Sequence, residues 1–400
     1  MNTSREGRRG RLAMGIGIAG VVAAATAVAV VPAQAAQGQV RLADSPNAIA
    51  DSYIVVLKDT ARTADVTSQA TGLATRYGAE VKRTYDTALN GFAATMSADE
   101  ARALAADGSV AYVQANQRFR ATGTQPNPPS WGIDRIDQDD LPLDDSYTYP
   151  TEASDVTAYV VDTGVNTAHS TFGGRASGGF DAVDNDDDPE DGNGHGTHVA
   201  GTIGGTEYGV AKGVKIVPVR VLDDNGSGST DGVVAGIEWV AENHSGPSVA
   251  NMSLGGGADD ALDQAVRGAI ESGVTFAVAA GNSGDNAGGY SPARVTEAIT
   301  VAASDDADNQ ANFSSYGSVV DLYAPGVDIT SSWIGGTDKT NTISGTSMAT
   351  PHVTGAAALY LSAHPSASPS EVAAGLVSAA GSGKIKNPSA GTANKLLNVG

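Results

Sequence analysis

The 400-residue chain contains no cysteine, so disulfide bonds, thiolate metal sites and cysteine nucleophiles are excluded. Aromatic residues make up only 5% of the sequence, whereas glycine occurs 50 times, which is typical of a chain with many tight turns and closely packed backbone. Apolar residues reach 41%, enough to form a hydrophobic core, and this argues against a disordered chain.

Positive charge is also scarce, and the charges are unevenly distributed. Residues 1–120 carry 13 Lys and Arg against 10 Asp and Glu, whereas residues 121–400 carry 11 against 35. A part as acidic as the second repels phosphate backbones, so nucleic acid is a poor partner, whereas cations are plausible ligands. The change near residue 120 predicts a domain boundary.

The N-terminal segment has the pattern of a signal peptide. Four arginines between Arg5 and Arg11 precede an uncharged apolar run over residues 12–31, and Ala33 and Ala35 then supply the small residues of a signal peptidase site. The run approaches the roughly 20 residues that span a bilayer, so a retained membrane anchor is the alternative. Its Ala and Gly content favours removal, and we predict a signal peptide and export.

Residues 52–120 predict a small α+β domain. Strand and helix patterns follow one another in the order βαββαβ, which is that of a ferredoxin-like domain. Asn90-Gly91 is expected to join the two middle strands, and Ser97 with Glu100 forms a capping box before the second helix. The Pro- and Gly-rich segment 120–130 fits neither element and is predicted to be a linker.

Beyond the linker, apolar strands alternate with helices. Strand-like runs begin at Val156, Val214, Ser248 and Val274, and helix-like segments separate them. This alternation predicts an α/β domain with a doubly wound, mostly parallel sheet covered by helices on both faces. In such sheets functional residues are expected at the carboxyl ends of the strands.

Three polar residues at such places suggest nucleophilic catalysis. Asp162 ends a strand, His195 is expected in the first turn of a small-residue helix, and Ser347 opens an apolar helix whose first turn would contain Pro351. A serine becomes nucleophilic when a histidine, oriented by a carboxylate, removes its proton. Each residue alone also has an ordinary interpretation, as a turn former, a structural histidine or a helix N-cap.

Other chemistries have weaker support. His195 and His198 lie one turn apart but lack the H-E-x-x-H spacing of zinc peptidases. No G-x-S-x-G occurs, so the marker of lipases and esterases is absent, and the chain order Asp, His, Ser is that of subtilisins. Asn282, at the end of another strand, offers an amide that could stabilise an oxyanion together with the main-chain N–H of Ser347.

Longer motifs carry a family resemblance. The segments YVVDTGVN, DGNGHGTHVAGTIGG, VANMSLGGG, AVAAGNSG and SGTSMATPHVTGAAALYL resemble those of the subtilases, the subtilisin-like serine peptidases, and particularly the secreted proteinase K-like members. Residues 52–120 resemble the inhibitory propeptide of that family. The resemblance implies an orienting carboxylate, a base, a nucleophile and an oxyanion donor at Asp162, His195, Ser347 and Asn282.

The resemblance also implies substrate contacts. One edge of the cleft would pair with an extended peptide, a second edge would lie opposite it, and a third segment would form the wall of the pocket for the residue preceding the cleaved bond. These three sets are Ser253, Leu254 and Gly255; Gly226, Ser227 and Gly228; and Ala279, Ala280 and Gly281. Small walls imply a roomy pocket and broad specificity.

Calcium is the cofactor that the resemblance implies, as a structural ion held by several oxygen ligands. The implied sets are Asp321 with the carbonyls of Thr296 and Ala298; Asp134, Asp137, Gln138 and Asp144; and Asp184 with Asp191. No catalytic cofactor is implied. Because the chain has no disulfides, calcium would contribute more of its stability.

The sequence therefore predicts a secreted, extracellular serine endopeptidase of broad specificity that is made as a self-processing zymogen. Its expected parts are a signal peptide (1–35), a propeptide (36–120) with an inhibitor domain at about 52–120, and a peptidase domain (121–400), with cleavage near Arg120–Thr122. Expected partners are protein and peptide substrates and the propeptide as an intramolecular inhibitor; nucleic acid, a stable membrane anchor and oligomerisation are not expected. The alternative is a catalytically silent calcium-binding surface protein of the same fold.

Overall fold

The computed structural model describes residues 38–45, 48–58, 66–117 and 123–400. The chain divides into two compact units, residues 1–116 and 117–400. The predicted signal peptide and the predicted cleavage segment fall outside the described residues. In the described part of the chain, no helix is long and apolar enough to cross a membrane.

In its described residues, the first unit is a five-stranded sheet with two helices. Its elements are β1 (Val40–Arg41), β2 (Ala48–Leu57), α1 (Val66–Tyr77), β3 (Glu80–Tyr85), β4 (Gly91–Thr95), α2 (Ala98–Ala105) and β5 (Val110–Gln117). The sheet order is β1-β5-β2-β4-β3, and β1 pairs with β5 in parallel. The elements from β2 to β5 have the predicted βαββαβ order, so the ferredoxin-like arrangement is confirmed.

The capping box and the hairpin turn predicted for this unit have different outcomes. The capping box is confirmed, because the Ser97 hydroxyl accepts from the N–H of Glu100 and the Glu100 carboxylate accepts from the N–H of Ser97. The predicted hairpin is present, since β3 and β4 pair antiparallel with Tyr85 opposite Gly91, but its turn spans residues 86–90 and Gly91 is already the first residue of β4. A Cβ at Gly91 would lie 2.1 Å from the carbonyl oxygen of Val55, so glycine is needed there for close strand approach.

The second unit is built around a nine-stranded sheet. Its elements are β6 (Gly123–Pro126), α3 (Trp131–Arg135), β7 (Ser146–Tyr149), β8 (Thr157–Asp162), β9 (Phe180–Asp181), α4 (His195–Gly204), β10 (Lys215–Arg220), α5 (Thr230–Asn243), β11 (Ser248–Met252), β12 (Gly256–Gly257), α6 (Asp260–Glu271), β13 (Thr275–Ala279), β14 (Tyr290–Ser291), β15 (Ile299–Ser304), β16 (Leu322–Pro325), β17 (Ile329–Ser332), β18 (Thr340–Ile343), α7 (Thr346–Ala363), α8 (Pro369–Ala379), β19 (Gly381–Ser382) and β20 (Lys395–Leu396).

Helices cover both faces of this sheet. The strand order is β19-β20-β16-β15-β13-β11-β8-β10-β9, and every neighbouring pair is parallel except β19 with β20. In β8, Ala158 and Val160 join a core with α4, α7 and α8, whereas Tyr159 and Val161 join a core with α5 and α6. This alternation buries both faces of the strand, and the predicted doubly wound fold is confirmed.

The predicted linker is partly structured, which corrects the prediction for residues 120–130. Strand β6 pairs antiparallel with β7, with Gly123 opposite Tyr149 and Pro126 opposite Ser146. Proline is tolerated because β6 and β7 form a separate two-stranded sheet, in which one side of each strand is an edge. The partner strand is 20 residues away in sequence, so local composition could not reveal the pairing.

Candidate active site

Asp162 is fixed at the carboxyl end of β8. It is fully buried, and its Oδ1 accepts from the N–H of Thr163 at 2.8 Å and from Nδ1 of His195 at 2.7 Å. Its main-chain carbonyl accepts from the N–H groups of Val221 and Leu222, which follow the neighbouring strand β10. Asp162 is therefore held through both its side-chain carboxylate and its main-chain carbonyl.

His195 is the first residue of α4, as predicted. Gly194 before it has φ 106°, and a Cβ there would lie 2.5 Å from the ring of Trp333, so the turn requires glycine. The buried Asp191 organises this turn, because its carboxylate accepts from the N–H groups of Asn193, Gly194 and Thr197. It also accepts from the hydroxyls of Thr163 and Thr197.

The hydrogen bond to Asp162 decides which imidazole nitrogen of His195 is basic. Nδ1–H donates to the carboxylate, so Nε2 carries the lone pair. Burial opposes protonation of the ring, but the charge and hydrogen bond of Asp162 and the charge of Asp191 outweigh it, and the pKa of His195 is raised above its ordinary value. The side chain is 25% exposed, so Nε2 can meet a substrate.

Ser347 is the second residue of α7, and Gly345 occupies the N-cap position, so a capping role for the serine is excluded. The Ser347 hydroxyl donates to the carbonyl of Ser253 at 3.1 Å. Among the described residues, this carbonyl is the hydrogen-bond partner of the hydroxyl, and His195 is not. A nucleophile that reacts through His195 must therefore rotate its side chain away from the Ser253 carbonyl.

The position of Pro351 differs from the prediction. Helix α7 begins at Thr346, so Pro351 lies in the second turn and not in the first. An N–H at that position would donate to the carbonyl of Ser347, four residues earlier. The Ser347 carbonyl accepts instead from the hydroxyl of Ser253 at 2.8 Å.

Asn282 follows the end of β13 and faces the start of α7. Its Oδ1 accepts from both the N–H and the hydroxyl of Thr346, each at 2.9 Å. These two bonds fix the orientation of the amide. Its Nδ2 has no hydrogen-bond partner among the described residues and can donate to a developing oxyanion.

Two cavities join these residues to the predicted substrate contacts. The first, of about 330 Å³, is lined by Ser347, Asn282, the segment 279–281 and the segment 253–255. The second, of about 640 Å³, contains His195, the segment 226–228 and again the segment 253–255. The structure thus brings His195, Ser347, Asn282 and every predicted substrate-binding residue to two adjoining cavities that share one wall, and Asp162 lies buried behind His195.

Two further histidines are buried beside the site. His198 donates from Nε2 to the carbonyl of Ile329, and His352 donates from Nδ1 to the carbonyl of Met348. Burial lowers the pKa of each ring to about 4, so both are neutral near pH 7. Each of these bonds joins one ring nitrogen to a main-chain carbonyl.

The first predicted calcium set meets in a third cavity. Asp321, Thr296 and Ala298 line a space of about 490 Å³. Asp321 accepts one hydrogen bond from the N–H of Thr300, and burial raises its pKa to about 6. A carboxylate in this state lacks a compensating positive charge.

The second predicted set lies at the end of α3, which contains Asp134, and in the segment that follows it. Asp137 Oδ1 and Gln138 Oε1 are buried, and neither has a hydrogen-bond partner among the described residues. Burial raises the pKa of Asp137 to about 6 and also raises that of Asp134, which accepts from the N–H of Asp144. Unpaired buried oxygens of this kind are suited to a hard cation.

The third predicted set is different. Asp184 pairs with Arg220 at 2.7 Å. Both carboxylate oxygens of Asp191 accept hydrogen bonds from N–H groups at the start of α4. Across the described residues, no group of three or more His, Asp or Glu side chains is arranged to hold a metal. The first set has one carboxylate and two main-chain carbonyls, which such a group does not include, whereas the three aspartates of the second set do not form such a group.

Comparisons with known proteins agree with this geometry. The model of the subtilase family matches residues 153–396, and that of the peptidase inhibitor I9 family matches residues 52–122. The chain belongs to the subtilase family. It is a serine endopeptidase with an inhibitor propeptide, and a subtilase uses no catalytic cofactor.

Several relatives of this subtilase are similar over most of its length. An extracellular serine proteinase of Thermus sp. (strain Rt41A) is 50% identical over 372 residues, which cover 88% of this chain and 90% of the relative. Alkaline serine exoprotease A of Vibrio alginolyticus is 50% identical over 370 residues, 89% of this chain and 68% of the relative. A crystal structure of a cold-adapted subtilisin-like serine proteinase is 57% identical, with TM-score 0.66, and covers 67% of this chain and 97% of its own.

Two residues of the subtilase site were not recognised from the sequence. Asp191 was assigned to calcium, although the Asp-Gly-Asn-Gly pattern around it is also typical of a turn in which an aspartate accepts main-chain N–H groups. Ser253 was assigned only main-chain contacts, yet its hydroxyl binds the carbonyl of Ser347. No local signal in the sequence indicates that second contact.

Proposed function

We propose that the chain is a secreted endopeptidase that hydrolyses proteins and peptides with broad specificity through an acyl-enzyme at Ser347. The observation that carries the proposal is the 2.7 Å bond between Asp162 and His195 beside a cavity lined by Ser347 and Asn282. In the first step, the Ser347 hydroxyl turns toward His195 Nε2, loses its proton to it and attacks the scissile carbonyl. Asp162 stabilises the resulting imidazolium.

The remaining steps follow from the same groups. The Nδ2 of Asn282 and the main-chain N–H of Ser347 bind the oxyanion, and His195 then returns its proton to the leaving amine. Water, deprotonated by His195, hydrolyses the acyl-enzyme and restores the Ser347 hydroxyl. Hydrogen bonds of this kind are often long in a free enzyme and shorten when substrate binds, which fits the resting position of Ser347 on Ser253.

Substrate would bind as an added strand between the segments 253–255 and 226–228. Its residue preceding the cleaved bond would enter the 330 Å³ cavity, whose wall at 279–281 consists of two alanines and a glycine. Small walls leave room for varied side chains, and this supports broad specificity. A residue further upstream would reach Thr230, which also lines the larger cavity.

Biosynthesis would follow the order of the segments. A signal peptide (1–35) would direct export, a propeptide (36–120) would inhibit the enzyme, and self-cleavage near Arg120–Thr122 would release a mature domain (121–400). The Thermus relative is named as extracellular, which supports an extracellular location. We further propose a monomer without a stable membrane anchor and without affinity for nucleic acid.

Calcium is proposed as a structural cofactor at two places. Asp321 with the carbonyls of Thr296 and Ala298 would hold one ion, and Asp134, Asp137, Gln138 and Asp144 a second. The support is the uncompensated carboxylate of Asp321 and the unpaired buried oxygens of Asp137 and Gln138. We do not extend the proposal to Asp184 and Asp191, because both carboxylates already have protein partners.

Labelling with a fluorophosphonate tests the proposed function. The mature enzyme should become labelled on Ser347, as located by mass spectrometry of the peptide, and should lose peptidase activity in parallel. Ser347→Ala should give an unlabelled chain that remains a full-length precursor. Ser344→Ala is the matched control, because Ser344 is exposed and its hydroxyl is hydrogen-bonded to Asp328 alone among the described residues, so the variant should permit both processing and labelling.

The same experiment distinguishes the proposed peptidase from a catalytically silent protein of the same fold. A catalytically silent calcium-binding protein would be folded but unlabelled. Label on a different serine, or normal maturation of Ser347→Ala, would contradict the assignment of the nucleophile.

A further inference from the structure

Pro351 leaves one carbonyl at the start of α7 without its helical donor. The carbonyl belongs to Ser347, and a residue with an N–H at position 351 would have donated to it. A buried carbonyl needs a partner, because an unpaired one costs free energy comparable to a lost hydrogen bond. The hydroxyl of Ser253, just beyond the end of β11, supplies that partner at 2.8 Å.

The Ser253 hydroxyl is itself oriented by a chain of buried side chains. Asn251 Nδ2 donates to it at 2.9 Å, which leaves its proton for the Ser347 carbonyl. Asn251 Oδ1 in turn accepts from the hydroxyl of Thr354 at 2.8 Å. Because Thr354 lies two turns beyond Ser347 on α7, the bonds form a closed loop between the nucleophile helix and β11.

This loop has a consistent direction of donation. Thr354 donates to Asn251, Asn251 to Ser253, and Ser253 to Ser347, and the Thr354 hydroxyl also lies 3.2 Å from the carbonyl of Thr350. The exposures of Asn251, Ser253 and Thr354 are 0%, 4% and 1%. Water therefore competes little for these bonds, and the loop is strong where it meets the nucleophile.

We propose that Ser253 is a positioning residue: its hydroxyl takes the place of the helical N–H that Pro351 removes and so fixes the main chain of Ser347. The inference rests on the proposed role of Ser347 as nucleophile. The Ser347 main chain carries both the reacting hydroxyl and an oxyanion donor, so a small rotation of it displaces two catalytic groups at once. Displacements near 1 Å can reduce rates by about a hundredfold.

Ser253→Ala tests the proposal because it removes the hydroxyl and keeps the main chain that substrate would contact. We expect kcat on a peptide substrate to fall about ten- to a hundredfold while KM stays within about twofold. Adding Pro351→Ala restores an N–H that can donate to the Ser347 carbonyl. The double variant should therefore recover most of the lost kcat, a rescue that a purely structural role of Ser253 does not predict.

Ser304→Ala is the matched control. Ser304 is a buried serine at the end of β15 whose hydroxyl has no hydrogen-bond partner among the described residues, and its loss should leave kcat unchanged. Titration with a fluorophosphonate gives the concentration of active sites. Because kcat is calculated from that concentration, misfolded enzyme does not lower it.

Three outcomes overturn the proposal: an unchanged kcat in Ser253→Ala, a change confined to KM, or a loss that Pro351→Ala does not rescue. Absence of peptide cleavage by the wild type would instead refute the proposed function.

Discussion

The charge around His195 sets the pH range in which it can act as a base. Its pKa is raised above the ordinary histidine value of about 6.5, because Asp162 and Asp191 outweigh the effect of burial. As the proposed base, His195 must be neutral to accept a proton from Ser347. As pH falls through a raised pKa, the neutral fraction decreases earlier than it would for an unperturbed histidine.

We therefore expect kcat/KM of the mature enzyme to rise with pH through one ionisation whose pKa lies above about 6.5. The measurement is a pH profile of kcat/KM with a peptide substrate. Asp231→Asn is the control for general surface charge, since Asp231 is an exposed carboxylate in the first turn of α5, and it should leave the profile in place. An ionisation with a pKa below 6.5 in the wild type would contradict a raised pKa of His195.

At the scale of residues, sequence reasoning located the polar groups at strand ends. Asp162 and His195 lie where the strand and helix patterns placed them, because those patterns are local. The role of Pro351 was misjudged because it depends on the residue at which α7 begins, and helix boundaries are weakly marked in a sequence. The hydroxyl of Ser253 could not be assigned, since its partner is 94 residues away.

At the scale of elements, β1 is an addition to the propeptide unit that lies before the matched inhibitor segment, residues 52–122. Val40 pairs with Val113 of β5, and the guanidinium of Arg41 lies 3.9 Å from the ring centre of Tyr112. Gly38, just before the strand, donates its N–H to the carbonyl of Arg102 at 2.8 Å. The short strand thus covers the outer edge of β5.

Gly38→Val should detach β1 from this edge. A Cβ at Gly38 would lie 2.5 Å from the main-chain carbon of Ala105, a clash that only backbone movement can relieve. Overpacking of this kind costs on the order of 1–3 kcal/mol, so hydrogen exchange in residues 110–117 should accelerate by about tenfold or more. The measurement uses the Ser347→Ala precursor, in which the propeptide should remain attached.

Gly108→Ala is the control for this substitution, because an added Cβ there meets no atom within 4 Å. It should leave the exchange of β5 unchanged. Equal exchange in Gly38→Val and in the unsubstituted precursor would mean that β1 does not protect β5.

Strands β1 and β6 share the reason why they were not predicted. Each is short, without a hydrophobic period, and each is defined by a partner distant in sequence: β5 for β1 and β7 for β6. The strands β8, β10, β11 and β13 were predicted because burial on both faces makes them continuous apolar runs, whereas β15 and α8 were not among the predicted elements. Pairing of short edge strands is set by tertiary contacts that a local pattern does not contain.

At the scale of the whole molecule, stability must come without disulfides. The chain has no cysteine and a formal net charge of −21, and residues 121–400 alone carry 11 Lys and Arg against 35 Asp and Glu, so mutual repulsion among carboxylates opposes folding. Bound cations would offset this repulsion and pair the buried oxygens of Asp137, Gln138 and Asp321. Calcium is the cation whose ligand preferences match carboxylate, amide and carbonyl oxygens.

Removal of calcium should therefore lower the Tm of the mature enzyme, first inactivated by a fluorophosphonate to prevent autolysis. Two sites saturated at about 100 times Kd contribute roughly 5 kcal/mol, which for a domain of this size corresponds to about 10 °C or more. Differential scanning calorimetry with and without EDTA measures the shift, and calcium but not magnesium should reverse it.

Asp137→Asn and Asp321→Asn should each lose part of the calcium-dependent shift, whereas the exposed Asp231→Asn should keep all of it. If EDTA leaves the Tm unchanged, calcium does not stabilise the enzyme. The carboxyl groups of Asp137 and Asp321 would then have to be stabilised by protonation.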